Sequence, residues 1–116
     1  KNNYDSVKIW SYKQKKFYDT GKQFLGLYFG DHSKCAINTS FNTGTIVGVN
    51  CNIFGSGFPR NYIPSFSWGG RSGIMEYSIE KAISTAKIVM KRRSIEISDE
   101  YIKMMKNVFN MTSTFR

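Results

Sequence analysis

Residues 29–53 read FGDHSKCAINTSFNTGTIVGVNCNI, and the spacing within this run decides how the chain is expected to fold. Stepping by six from Phe29 gives Cys35, Phe41, Val47 and Ile53, all apolar. Four residues after each stand Ser33, Thr39, Thr45, Cys51 and Gly57, all small. One residue after each stand Gly30, Ala36, Asn42, Gly48 and Phe54, of which Phe54 alone breaks the pattern. Internal repeats of this kind outrank local propensity as a guide to architecture.

A period of six is neither helical nor a simple strand alternation. It fits a triangular parallel solenoid with one hexapeptide per side and the apolar residue pointing inward. Strands of successive turns would stack about 4.8 Å apart. Phe29 is then expected over Val47, Cys35 over Ile53 and Ser33 over Cys51. Both cysteines should point inward on different sides and layers, as reduced, buried thiols. The competing reading is a β-sandwich with accidental spacing. Spacing does not set handedness, and the general crossover preference is right-handed.

Outward from the repeat, Pro59 is expected to end the stack, because proline cannot donate to a ladder. The stretch Pro64–Gly70 and two helices beyond it should cover the exposed last turn, with Trp68 packed against it rather than stacked on a ligand. Barely two turns are visible, too few for stability alone. Further turns are expected upstream, or subunits must pack together. The chain opens on Lys1 without an initiator Met, which suggests a fragment or a processed form.

Before the repeat, Val7–Tyr12, Lys16–Asp19 and Phe24–Tyr28 read as strand-like pieces, with a turn at Thr20 and Gly21. They suggest a hairpin-like excursion at 5–28 within a β unit spanning 1–72. After Gly73 there is no Gly or Pro. Ile79, Ala82, Ile83, Ala86, Val89 and Met90 recur at helical spacing behind an N-cap at Ser78, with Glu80 in the first turn. A second helix should begin at Ser98 with the stripe Ile102, Met105, Val108 and Phe109. Residues 73–116 therefore read as a C-terminal helical extension.

The 116 residues allow one domain. No apolar run is long enough for a bilayer span and no signal peptide is visible, so a cytoplasmic protein with no membrane partner is expected. Seventeen Lys and Arg against eight Asp and Glu give a net charge of +9. That balance suits polyanions such as sugar phosphates, coenzyme A or nucleic acid. The cations are scattered, however. Lys91, Arg92 and Arg93 close a helix, and Lys13, Lys15 and Lys16 sit on the excursion, so nucleic acid is an unlikely partner. Two cysteines and one histidine make neither a disulfide framework nor a metal site. The sequons at Asn38 and Asn110 read as accidental.

The ordered string from Gly30 to Gly48, followed by Asn52–Arg60 and Ile63–Gly70, resembles the C-terminal region of bacterial sugar nucleotidyltransferases. These are related to the bifunctional N-acetylglucosamine-1-phosphate uridylyltransferase/glucosamine-1-phosphate acetyltransferase of the hexapeptide-repeat acyltransferase superfamily. The resemblance spans essentially the whole chain. It implies a mainly β fold, a left-handed parallel β-helix with a C-terminal helix pair. It also implies a homotrimer and a transferase that takes a sugar phosphate and acetyl-CoA between subunits. The Gly-rich loop with a basic residue that serves nucleotidyl transfer in such enzymes has no counterpart here, so that chemistry is not expected of this chain.

Acetyl transfer to an amine needs a base active near neutral pH and donors for the thioester oxyanion. His32, the only histidine, is the candidate base; capping a turn or bonding across an interface is its structural alternative. Lys34, Arg60 and Arg71 are candidate phosphate contacts, with plain surface solvation as the competing role. Asn38 and Asn42 are candidate substrate ligands, although inward or turn-capping asparagines are common in such solenoids. The runner-up to acyl transfer is a non-catalytic trimerisation domain of a sugar-1-phosphate nucleotidyltransferase.

Overall fold

A computed structural model describes residues 3–116. Strands β1 (Lys8–Ser11) and β2 (Lys16–Asp19) form an antiparallel hairpin. Its turn lies at residues 12–15, and the chain leaves β2 through Thr20 and Gly21, where Gly21 takes φ 70. Two parallel ladders come next. The first stacks β3 (Tyr28–Phe29), β5 (Ile46–Val47) and β7 (Tyr62–Ile63). The second stacks β4 (Lys34–Cys35), β6 (Asn52–Ile53) and β8 (Ser67–Gly70), and β9 (Gly73–Glu76) joins β8 antiparallel.

The hexapeptide repeat is therefore real as a register. Phe29 pairs with Val47 and Cys35 with Ile53, each eighteen positions on. Ser33 lies over Cys51, whose backbone N–H donates to its Oγ at 3.0 Å. Close stacking requires small residues beside the inward positions. A Cβ built on Gly48 would overlap both the hydroxyl and the backbone of Ser65 in the next layer.

The mainly β, left-handed parallel β-helix is corrected by this structure. The described residues form a small α/β fold with two helices of 13 residues each, and none of their strands exceeds 4 residues. Its sheets are mixed, parallel in the ladders and antiparallel in β1–β2 and β8–β9. No strand forms between Cys35 and Ile46, the stretch expected to supply the third side, and Ile37 within it is 93% exposed. Without a third ladder the described residues form no closed solenoid.

Two further expectations change. Stacking does not stop at Pro59. It resumes at Tyr62 and Trp68, now sixteen positions after Ile46 and Asn52. The loop through Pro59 shortens the repeat but preserves parallel pairing. Cys35 is exposed, while Cys51 is buried, and both are free thiols. The reason is position in the sheet: among the described residues β4 is an edge strand with nothing stacked beyond it, whereas Cys51 precedes a central strand.

Helix α1 (Ile79–Lys91) starts at Ser78, whose Oγ accepts from the Lys81 N–H. Helix α2 (Asp99–Met111) starts at Ser98, which caps the Tyr101 N–H in the same way. Their apolar faces bury Ala82, Ile83, Ala86 and Met105 against Phe66 and Tyr77. A second, smaller core of Val47, Cys51, Ile53 and Ile63 fills the space between the ladders. Trp68 is itself part of ladder strand β8 rather than of a cap over it, with its ring stacked on Tyr77 at 5.2 Å and edge-on to Phe54 at 5.5 Å. A 3-10 turn (Ser113–Phe115) then delivers Arg116 to the seam between helix and sheet.

Candidate functional site

His32 sits in the turn between β3 and β4 with φ 60, in the left-handed region that L residues seldom occupy. That conformation turns its ring toward α2. Its Nε2 lies 2.7 Å from the Tyr101 hydroxyl, and the two rings meet edge-on at 5.9 Å. Lys34 is brought to the same turn, where its Nζ donates to the His32 carbonyl at 3.0 Å. Burial, with the Lys34 charge adding to it and Asp31 opposing it, lowers the His32 pKa below its ordinary value. The imidazole is therefore held neutral at pH 7. The cavity beside it is about 80 Å³ and is lined by Asp31, His32, Asn50, Tyr101 and apolar residues of α2. That is well below the volume of an ordinary cofactor site.

The remaining sequence candidates are not gathered around His32. Asn38 is exposed in a left-handed turn with φ 65. Asn42 holds a turn: its carbonyl accepts from both the N–H and the hydroxyl of Thr45, and its amide reaches Asn61 at 3.3 Å. It also lines a separate cavity of about 610 Å³ with Asp5, Lys8 and Asp19. Arg60 is exposed at another cavity, beside Glu76 and Arg116. Arg71 lies in the β8–β9 turn, its Cδ near Gly57. Of the six residues, the structure joins only His32 and Lys34.

Several residues escape sequence reasoning. Tyr101 reads as an ordinary helix position, and its partner is 69 positions away. Trp10 and Tyr62 stack at 4.4 Å with their planes 5° apart, although one belongs to the hairpin and the other to a ladder. Arg116 is a clamp: it donates to the carbonyls of Ser65 and Phe109, pairs with Glu76 at 2.9 Å and lies 4.3 Å from the Phe109 ring centroid. No local signal marks any of these, since each depends on chain segments meeting at long range.

No group of three His, Cys, Asp or Glu among the described residues is arranged to hold a metal ion. No helix among them is long and apolar enough to cross a membrane. Compared with models of protein families, with curated proteins and with solved structures, the chain gives no match, and nothing in these comparisons identifies its family.

Proposed function

We propose that this chain is a non-catalytic assembly module that joins copies of itself into a homotrimer in the cytoplasm. The layer formed by β3 and β4, which no described strand covers, carries the reading. Tyr28 and Gly30 donate inward to Thr45 and Val47, and Lys34 and Ala36 donate inward to Cys51 and Ile53. The main-chain groups of Phe29 and Cys35 therefore face away from the ladders, at the edge of both sheets. Exposed apolar residues flank the same two strands, including Phe24 at 72% and Ile37 at 93% exposure. Unpaired strand edges beside apolar side chains favour association. Two free thiols accord with a reducing compartment.

The net charge of +9 opposes self-association, so salt should strengthen it by screening. Analytical ultracentrifugation between about 50 and 500 mM salt tests this. A trimer that grows with salt and is lost in Ile37→Lys is expected. A monomer at about 100 µM in every salt would overturn the reading.

Acyl transfer is a second reading, favoured by the neutral imidazole of His32, the form in which it accepts a proton. A sugar phosphate and acetyl-CoA would then bind between subunits, with Lys34 near the phosphate. Thiol release from acetyl-CoA with glucosamine 1-phosphate measures it. Activity abolished by His32→Ala supports this reading; an inert trimer, or unchanged release in the variant, eliminates it.

A further inference from the structure

Cations that look scattered along the chain are gathered by helix α1. Between Lys81 and Ile95 stand Lys81, Lys87, Lys91, Arg92 and Arg93, with no Asp or Glu among them. All five are exposed, and none takes part in an ion pair among the described residues. A helix turns about 100° per residue, so Lys87, Lys91, Lys81 and Arg92 fall within an arc of about 140°. Ala82, Ile83 and Ala86 lie on the other side, buried with Phe66 and Tyr77. The one carboxylate of α1, Glu80, stands in its first turn, where it accepts from the Ser78 hydroxyl at 3.0 Å. Beyond that turn the outer face carries positive charge only.

Ile88 sits near the middle of this arc and is 63% exposed, and Ile95, just past the helix, is 51% exposed. Neither belongs to the two buried cores. The helix dipole accounts for a cation in the last turn. It does not account for Lys81 in the first turn, where positive charge is disfavoured, or for an isoleucine set among the cations. Cations around a water-exposed apolar side chain match an anionic bilayer, whose headgroups take the charges and whose acyl boundary takes the side chain. A nucleic acid would match the charge alone, since no aromatic ring on this face offers a base a stacking partner. We propose that the outer face of α1 docks on an anionic membrane surface, with Lys81, Lys87, Lys91 and Arg92 at the headgroups and Ile88 inserted between them. The expectation of no membrane partner concerned spanning segments; a 13-residue helix with these charges lies in the surface rather than across it. The face includes no residue of β3 or β4, so it does not rest on the self-association proposed above.

The test is sedimentation of the full chain with vesicles of phosphatidylcholine alone, and with vesicles in which about a third of the lipid is phosphatidylserine. Binding is expected only to the second, weakened at least about tenfold between roughly 50 and 500 mM salt. Lys87→Glu combined with Lys91→Glu, at two exposed positions, should weaken it about tenfold or more. The same reversal at Lys13 and Lys16 of the hairpin changes net charge equally and should weaken it less than about threefold. Ile88→Ser should weaken it about fivefold, and circular dichroism checks that each variant is folded. Equal loss from the hairpin pair would mean that net charge alone draws the chain to the bilayer, and would overturn the site. So would absence of binding to the anionic vesicles, or unchanged binding in Ile88→Ser. Duplex DNA bound more tightly than the vesicles, with no response to Ile88→Ser, would overturn it in favour of nucleic acid.

Discussion

The hydroxyl of Tyr101, in the first turn of α2, lies 2.7 Å from Nε2 of His32 in the turn between the two ladders. This contact ties the second helix to the sheet edge, and it makes the docking of α2 sensitive to one proton. The folded-state pKa of His32 is lowered, by burial first and by Lys34 second. As pH falls through about 6.5 the unfolded chain takes up the proton before the folded one does. The stabilisation is therefore complete above that value, declines as pH falls toward the folded pKa and is constant below it. Urea denaturation at steps between about pH 5 and 8 should show this slope. Because His32 is the only histidine, His32→Gln should flatten the curve over the histidine range; an unaltered slope would contradict the assignment.

The two thiols should differ sharply in reactivity. Cys35 lies exposed on an edge strand, while Cys51 is 1% exposed and burial raises its pKa. An aromatic disulfide reagent is expected to titrate one thiol of the native protein quickly and the second only after denaturant is added. Cys35→Ser should abolish the fast phase and leave the slow one. Two fast thiols in the native state would show that the ladders do not shield Cys51.

Gly48→Ala should destabilise the fold by about 1–3 kcal/mol, since the added methyl enters space held by Ser65. Part of that overlap is with backbone, so Ser65→Ala should fail to rescue it. Thermal denaturation of the single and double variants settles the point. A neutral Gly48→Ala would mean that the layers do not approach as closely as the register requires.

Arg116→Ala is expected to cost about 2–3 kcal/mol, because it removes donors from the carbonyls of Ser65 and Phe109 and the cation from the Phe109 ring. Its side chain is 7% exposed, whereas Glu76, its ionic partner, is 54% exposed. Glu76→Gln should therefore change stability by no more than about 0.5 kcal/mol. Arg116→Lys should restore little, as an ammonium cannot reproduce the planar fork. Denaturant midpoints for the three variants distinguish a clamp from a simple ion pair.

The features governed by short spacing were legible in the amino-acid sequence. Ser78 and Ser98 announce the helix starts, because a cap needs only the next three residues. The six-residue period places Phe29 over Val47 and Cys35 over Ile53, because parallel register follows from a constant number of residues per layer. Spacing misleads at Pro59, where a shorter loop changes that number while the ladder continues through Tyr62 and Trp68. It misleads again at Phe41, where the expected third side forms no strand, and the mainly β solenoid implied by resemblance falls with it.

Which polar groups meet was settled by three-dimensional packing alone. Six residues suited to binding or catalysis are visible along the chain, yet only His32 and Lys34 come together. The pairings that matter most, His32 with Tyr101, Trp10 with Tyr62 and Arg116 with Ser65, join segments between 51 and 69 positions apart or unite a hairpin with a ladder. Side-chain chemistry is written residue by residue, but proximity at such distances is set by how hydrophobic faces pack, and no local spacing encodes that.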